Sequence, residues 1–199
     1  QVKELPTSYL CGTDLQQIAA DLRLLHRLEP GEVNARARYL PETQTVQFTV
    51  ATSEDVTPGI FHKLTGALSS QGLQILSAQI NTLAQRLVLD RFWVYDADYA
   101  GPPPAERLER VSRALVESLR GAGPPTFRRT WRMGGPRHPS PAALQTRVRA
   151  DNSTSDTATI LDIFTLDRRG LLYAVTRTLF ELGLSVWRAK IGTYLDQVV

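Results

Sequence analysis

The chain has very few of the residues that build disulfides, metal sites and membrane spans. It contains one cysteine, Cys11, and its three histidines do not stand at metal-ligand spacing: His26, His62 and His138. No apolar run approaches the ~20 residues that cross a bilayer, and the first residues have neither the basic start nor the apolar run of a signal peptide. These absences exclude an internal disulfide and predict a cytoplasmic protein without a metal site or a membrane partner.

Acidic residues are missing from one long stretch, Gly121 to Ala150, which contains six arginines. A basic stripe can bind nucleic acid or membrane phosphate. More often it is a solvated strand face followed by a flexible linker. We adopt the second interpretation and expect no nucleic-acid partner.

What the chain does contain is an internal repeat with an offset of 111 residues. Laid without gaps over Gly170–Val199, the segment Gly59–Val88 is identical at Gly59, Thr65, Leu68, Gly72, Leu73, Ala78, Ile80, Thr82 and Val88. Chance similarity rarely stays in register for so long. Because the offset equals a whole small domain, the repeat indicates a tandem pair of domains rather than a solenoid.

The first copy begins with alternating residues over Thr45–Ala51, which predict a half-buried strand. Thr57-Pro58 then predicts a helix start, and Gly72 predicts its left-handed end. Two more strands follow, Leu73–Thr82 and Leu87–Tyr95, joined by a short turn.

After these strands, the prolines of AGPPP open a second helix that Gly121 to Pro125 ends. A closing strand is predicted over Thr126–Met133. The resulting order of strand, helix, strand, strand, helix, strand is the α+β, ferredoxin-like split βαβ. Its two helices would cover one sheet face, so the other face should meet solvent, a ligand or another sheet.

The second copy repeats only the first half of this order, with a strand over Thr157–Phe164, a helix over Arg168–Leu182 and a strand over Leu184–Thr193. The chain starts without methionine and stops at Val199 inside an apolar run, so we expect it to be a piece of a longer protein. A unit without its second helix cannot bury its sheet alone. It should therefore lean on the first domain or on another chain.

These patterns divide the chain into four parts. Residues 1–43 form a lead-in with a helix capped by Asp14 or Thr13 and an extra edge strand over Val33–Tyr39. Residues 44–133 form the first domain, and 134–156 form a linker rich in proline and polar residues. Residues 157–199 form the second, incomplete domain.

Both copies place a glycine between the first strand and the first helix, in VTPGIF (Val56–Phe61) and in DRRGLL (Asp167–Leu172). Glycine lets a ligand or another backbone come close. The first-turn amides of a helix are unpaired within it and carry the positive end of its dipole, so a carboxylate could bind there. The alternative is a tight turn that holds nothing.

The second copy, with DRRGLL, a helix ending in LGL and a strand ending in AKIGTY, resembles the ACT domain, a small βαββαβ module that usually binds an amino acid. LDRFWVYD and the run from Thr157 to Val199 are similar to the tandem C-terminal ACT domains of the bacterial protein-PII uridylyltransferase/uridylyl-removing enzymes. Ser8–Leu25 also resembles the segment that joins the HD hydrolase domain of those enzymes to their first ACT domain.

The resemblance implies a regulatory region that binds an amino-acid effector, glutamine, and no other cofactor. It would control the attachment and removal of uridylyl groups on the PII signalling protein. The catalytic residues would lie upstream, in the nucleotidyltransferase and HD domains, so the chain itself would have none. Its partners would be those catalytic domains, PII through the parent enzyme, and a second copy in a homodimer.

The same resemblance implies a set of ligand-binding residues. In the second copy they are Asp167, Arg168, Arg169, Gly170, Leu171 and Leu172; in the first copy they are Asp55, Pro58, Gly59, Ile60 and Phe61. The ligand's ammonium and amide groups would also need acceptors from a facing strand, for which the candidates are Ile191, Gly192 and Thr193 in the second copy and Ile80, Asn81 and Thr82 in the first. Plain sheet pairing explains those strand residues equally well. The ungapped register puts Val56 opposite Asp167, so the first copy lacks an acid for the ligand's ammonium group at that position. The second site is therefore favoured.

Two other functions are compatible with the residues. A pairing module without a ligand would place side-chain atoms at the two glycine turns and would bury Trp187 and Tyr194 in an interface. A four-stranded sheet can also stack nucleic-acid bases, and the residues for such a patch would be Phe92, Trp93 and Trp131 with Arg91, Arg128 and Arg132.

Overall fold

A computed structural model describes Tyr9 and residues 13–83, 86–121, 123, 146–166, 170–191, 193–194 and 197–198, the last four by their backbone. The helices are α1 Leu15–His26, α2 Ile60–Ser70, α3 Ala105–Arg120 and α4 Leu171–Glu181. The strands are β1 Asn34–Leu40, β2 Thr45–Ser53, β3 Gln74–Gln79, β4 Leu87–Tyr95, β5 Arg147–Asp151, β6 Ile160–Leu166, β7 Arg188–Lys190, β8 Thr193–Tyr194 and β9 Gln197–Val198. None of the described helices has the length and apolar composition of a membrane span.

The main sheet is antiparallel and has five strands in the order β1-β2-β4-β3-β7. Its middle part, β2-β4-β3, has the strand order of a ferredoxin-like unit, and the mixed α+β architecture is compatible with that class. The place beside β2 that a fourth strand takes in such a unit is occupied by β1, which precedes it in the chain. The predicted closing strand, Thr126–Met133, lies outside the described residues.

Helices α2 and α3 cover one face of this sheet and form the larger core. Leu64 and Leu68 of α2 are fully buried, and Val111, Leu115 and Leu119 bring the apolar stripe of α3 onto the same face. From β2, the alternate residues Val46, Phe48 and Val50 point into this core. Gly72 takes a left-handed φ of 82° just after α2, as its position in the sequence predicts.

The opposite face of the sheet is partly covered by α1, a helix of this chain that the sequence analysis did not place there. Asp14 caps α1 through a hydrogen bond from the Gln17 amide. Asp21 of α1 accepts hydrogen bonds from Arg91 of β4 and from the Tyr9 hydroxyl, and all three side chains are buried. This helix therefore closes a second apolar cluster over β4.

The burial of β4 also removes two residues from the predicted base-stacking patch. Phe92 is fully buried in the larger core, and Arg91 is paired with Asp21 under α1. Neither side chain can meet a nucleic-acid base. Trp131, Arg128 and Arg132 lie outside the described residues.

Several boundaries in the second half differ from the predictions. The predicted linker, 134–156, contains β5, which pairs antiparallel with β6 from Arg147↔Phe164 to Asp151↔Ile160. Every residue of β5 before Asp151 is exposed, Val148 included, so the strand is held by its pairing with β6 and not by burial of an apolar face. Strand β6 starts at Ile160 rather than Thr157, α4 spans Leu171–Glu181, and only Arg188–Lys190 forms the next strand.

The segment that contains α4 and β7 packs on the first unit through a local two-fold axis. Across the β3–β7 edge, Ala78 pairs with Ala189, its own counterpart 111 residues later. Exchanging each residue for its counterpart turns the pair Ser77↔Lys190 into Arg188↔Gln79, which is also present. The same exchange relates the hydrogen bond Ile80 N to Trp187 O (3.0 Å) to that from Ile191 N to Leu76 O (2.9 Å).

The two helices obey the same symmetry. Thr65 of α2 and Thr176 of α4 are counterparts, and their hydroxyls lie 2.9 Å apart in a buried hydrogen bond. The second segment thus leans on the first domain, as its incomplete order predicts. The Trp187 side chain is nevertheless 60% exposed, so it is not buried between these two segments as the pairing-module alternative predicts.

Candidate functional site

The turn between β2 and α2 holds the first of the two predicted glycines. Gly59 is the N-cap of α2 with a left-handed φ of 69°, and no side chain caps the helix. The helix therefore begins at Ile60, two residues after the Thr57-Pro58 start that the sequence predicts. Thr57 instead accepts a hydrogen bond from the Lys63 ammonium group, which leaves the first-turn amides of α2 without a side-chain acceptor.

Aromatic rings from both copies cover the Gly59 turn. The ring of His62 lies 4.8 Å from that of Phe180 and 6.1 Å from that of Tyr173, centroid to centroid. A Cβ atom on Gly59 would overlap the imidazole and approach Phe180 Cδ2 to 3.2 Å. Side-chain atoms thus stand at this turn, which is the arrangement that the pairing-module alternative predicts.

The imidazole of His62 is an unusual group for such a position. Its Nδ1 is buried and has no hydrogen-bond partner among the described residues. Burial lowers the pKa of His62, and the nearby charges of Lys63 and Arg177 lower this pKa further against the opposing charge of Glu181. The ring is therefore neutral at neutral pH and offers an unused polar atom beside Gly59.

The predicted residues around Gly59 have different surroundings. Asp55 is exposed and its carboxylate pairs with Arg86 at 3.3 Å, while Pro58 is exposed. The side chain of Ile60 is buried in the core, and Phe61 stacks on Phe92 with centroids 6.0 Å apart. Only the backbone amides of Ile60 and Phe61 are therefore available for a ligand at the helix N-terminus.

Asp90 of β4 has a buried carboxyl group on the same sheet face as Phe92, against which Phe61 of the first turn of α2 stacks. Asp90 is only 1% exposed. Its Oδ1 accepts a hydrogen bond from the backbone amide of Asn81 at 3.3 Å. Its Oδ2 has no hydrogen-bond partner among the described residues. Burial raises the pKa of Asp90 to about 8, and the Asn81 hydrogen bond opposes this rise. The sequence analysis did not select Asp90, although it lies in the LDRFWVYD motif.

The second glycine turn has the same backbone form. Gly170 is the N-cap of α4 with a φ of 74°, Leu171 is buried, and Leu172 packs against the main core. Ile191 also packs on that core, and its amide donates to Leu76. Asp167, Arg168 and Arg169 lie outside the described residues, as does the side chain of Thr193.

The two turns differ in what covers them. Under the local two-fold axis, the residue at the Gly170 turn that corresponds to His62 is Tyr173, and the residue that corresponds to Phe180 is Ser69. A hydroxymethyl group thus replaces a phenyl ring in the facing helix. A phenyl ring of the facing helix therefore approaches Gly59, and the counterpart of that ring position is a serine.

Gly59→Ala should lower the free energy of unfolding by about 2 kcal/mol, because alanine adds left-handed strain to an overlap with the His62 ring. Gly72→Ala is the matched control, since it has a left-handed φ but open space around its Cβ position. Urea unfolding of both variants, and of Gly59→Ala in a His62→Ala background, separates strain from overlap. Equal losses for the two glycines would show that the rings do not cover Gly59.

Comparison with known proteins relates most of the chain to one group of enzymes. The bifunctional uridylyltransferase/uridylyl-removing enzyme of Rhodospirillum rubrum is 32% identical over 180 residues, 89% of the chain and 19% of that enzyme. The enzyme of the same name from Ruegeria pomeroyi is 30% identical over 177 residues, which are 89% of the chain and 19% of that enzyme. The one from Azospirillum brasilense is 34% identical over 149 residues, which are 71% of the chain and 15% of that enzyme. The chain is homologous to one segment of these enzymes.

The chain spans about a fifth of the length of the uridylyltransferase/uridylyl-removing enzymes it matches. No family model and no solved structure matches it. The activity and partners of a whole uridylyltransferase/uridylyl-removing enzyme therefore do not transfer to this segment by similarity alone. What its own residues offer is a pair of glycine turns related by a two-fold axis, with buried polar atoms beside the first.

Proposed function

We propose that the chain is a non-catalytic, glutamine-sensing region of a uridylyltransferase/uridylyl-removing enzyme that acts on the PII nitrogen-signalling protein. In this proposal the chain contains two ACT domains in tandem, the second of them incomplete. Glutamine bound at a glycine turn changes how the two copies sit against each other, and the change reaches the catalytic domains of the same enzyme. No cofactor other than the amino acid is required.

The observation that carries the proposal is the duplicated turn in a segment homologous to these enzymes. Each turn ends in a left-handed glycine that caps a helix without help from a side chain. A ligand carboxylate can accept from the free amides and gain from the helix dipole. Because the turns lie in a pair of helices packed on a two-fold axis, a ligand there can contact both copies.

The contacts between the copies are the route by which a ligand would couple them. Between the sheet parts, β3 and β7 share three residue pairs, and the helices meet around the hydrogen bond of Thr65 with Thr176. A ligand that binds one arrangement of this contact better than another shifts the population toward it. Such a shift is the signal that the proposal assigns to glutamine.

The second candidate is a pairing module that binds nothing. The observation that favours it is the ring cover of His62 and Phe180 on the Gly59 turn. A ligand at Gly59 requires those rings to move aside, whereas a pairing module keeps them in place. The two functions therefore differ in whether glutamine changes the stability of the chain.

Thermal unfolding of the chain with 10 mM glutamine, glutamate, asparagine or buffer tests the proposal (the concentration being roughly 100 Kd for a ~100 µM site). Binding at that ratio stabilises the chain by about 2.7 kcal/mol, which should raise Tm by roughly 5–10 °C with glutamine and leave it unchanged with the other two amino acids. The same titration on the full-length enzyme is the companion measurement. Equal Tm values with and without glutamine in both proteins would favour the pairing module.

A further inference from the structure

Asp90 is a buried carboxyl group whose second oxygen is unused. Buried polar atoms almost always find a partner in folded proteins, and an orphan costs stability. Asp90 Oδ2 has none among the described residues, although Oδ1 accepts from Asn81. A group of this kind, retained inside an apolar core, requires an explanation beyond packing.

Asp90 lies on the same side of the sheet as the Gly59 turn. Asp90 pairs with Val50 across β2 and β4, and β2 ends shortly afterwards at Ser53, where the chain crosses to α2. Phe92 lies two residues after Asp90 on the same face of β4. Its ring stacks against that of Phe61, a residue of the first turn of α2. Asp90 therefore lies on the sheet face that α2 covers, toward the end of β2 from which the chain crosses to Gly59.

Three polar groups without a partner among the described residues thus belong to the Gly59 turn or to the sheet face that α2 covers. The first-turn amides of α2 lack a side-chain acceptor and favour an anion. Asp90 Oδ2 lacks a partner and, once ionised, needs a cation because a lone buried charge is strongly disfavoured. Nδ1 of the His62 ring that covers Gly59 is the third unpartnered atom. A molecule with both charges on adjacent groups meets the first two together.

We propose that Asp90 is the residue that binds the α-ammonium group of an amino acid whose α-carboxylate sits on the first-turn amides of α2 at Gly59. This inference rests on the proposed function and deepens it, because it assigns the acid that the first copy lacks at Val56. It also makes the Gly59 turn, rather than only the Gly170 turn, a binding site. The rings of His62 and Phe180 move aside to admit the ligand.

Binding then changes the charge of Asp90. Without a ligand, burial raises the pKa of Asp90 to about 8, so the carboxyl group is protonated at pH 7. An ammonium group beside it stabilises the ionised form. The neutral acid therefore gives its proton to solvent as the ion pair forms, and nearly one proton is released for each ligand bound at this turn.

Calorimetric titration of glutamine into the chain at pH 7, in phosphate and in Tris, measures that proton. The two buffers differ in ionisation enthalpy, so the difference in observed heat gives the number of protons released. We expect close to one for the wild-type chain. Asp90→Asn should release none and bind glutamine about 50-fold more weakly, because a buried charge loses its partner.

Two other aspartate variants serve as controls for Asp90→Asn in the same titration. Asp98→Asn removes an exposed acid beyond the end of β4 and should change affinity by less than about twofold. Asp55→Asn removes the acid nearest to Gly59 in the sequence, whose carboxylate faces Arg86. Loss of binding in Asp55→Asn with retention in Asp90→Asn would overturn the inference.

A ligand without the ammonium group gives a second readout. Glutaramate is glutamine with hydrogen in place of that group, so the wild-type chain should bind it about 50-fold more weakly than glutamine. Asp90→Asn should bind the two compounds about equally. An unchanged preference for glutamine in Asp90→Asn would show that another residue takes the ammonium group.

The outcomes separate this inference from the proposed function. Glutamine binding that survives Asp90→Asn, releases no proton and disappears in Gly170→Val places the ligand at the second turn; the sensor then stands and the Asp90 assignment fails. Absence of glutamine binding in both the chain and the full-length enzyme overturns both. Both are supported by release of about one proton from the wild-type chain, by its absence in Asp90→Asn, and by loss of the preference for the ammonium group in that variant.

Discussion

Asp90→Asn should make the chain more stable than the wild type, and the difference should grow with pH. The raised pKa means that the folded chain keeps a proton that the unfolded chain loses near pH 4, so folding becomes less favourable as pH rises from about 4 to the folded pKa of about 8. A shift of that size corresponds to on the order of 5 kcal/mol. An asparagine at position 90 keeps an oxygen acceptor for the backbone amide of Asn81. It has no carboxyl proton, so its contribution to stability does not change over this pH range.

Urea unfolding of both proteins at pH 4.5, 6, 7.5 and 9 measures this difference. The two unfolding free energies should be similar at pH 4.5, diverge to pH 7.5 and run in parallel above about pH 8.5. Asp98→Asn, a surface change, should alter stability by less than about 0.5 kcal/mol. A constant gap between wild type and Asp90→Asn across the whole range would mean that Asp90 is ionised in the folded chain.

A gain in stability at Asp90 together with a loss of binding would identify the carboxyl group as a functional compromise. Residues that serve a ligand are often those that the fold alone would replace. An apolar core with an unpaired acid is less stable than one with a neutral amide of the same shape. Measuring both the stability and the glutamine affinity of Asp90→Asn therefore tests whether ligand binding is the reason for an aspartate at position 90.

The sequence predicts the helices and the central strands because each has a single buried face. Leu64 and Leu68 in α2, and Val111, Leu115 and Leu119 in α3, recur at helical spacing and all lie in the core. The alternation in β2 is equally clear. Where one face is apolar and the other is polar, the period alone decides between a helix and a strand.

The start of α2 is different because two local signals compete. Thr57-Pro58 is a good helix start by composition, but the left-handed conformation of Gly59 interrupts the chain immediately afterwards. A left-handed N-cap is visible in the sequence only as a glycine, which can serve many purposes. Strand β5 is hidden for another reason, since its exposed residues are held by pairing with β6 and not by burial.

The residues beside the Gly59 turn were harder to recognise than the turn itself. Both faces of β4 are covered, so Asp90 and Arg91 are both buried although they are adjacent and point to opposite faces. A polar pair in a strand ordinarily suggests an exposed face or an edge. Only the position of α1, which brings Asp21 to Arg91, shows that β4 is enclosed on both sides.

Asp21→Leu should lower the free energy of unfolding by about 3–5 kcal/mol, because it leaves the Arg91 guanidinium buried without a counter-charge. The same change removes the acceptor of the Tyr9 hydroxyl and of the Gln17 side-chain amide. Urea unfolding at neutral pH measures the loss. Glu29→Gln, an exposed change just after α1, is the matched control and should cost less than about 0.5 kcal/mol.

The double variant Asp21→Leu/Arg91→Met decides what the ion pair contributes. If the pair mainly satisfies its own charges, an apolar pair of similar volume should restore most of the stability, since desolvation then disappears from both partners. The coupling energy from the four proteins of the cycle should be at least 2 kcal/mol. Additive losses would instead mean that Asp21 and Arg91 act separately, and that α1 is held on the sheet by its apolar cluster alone.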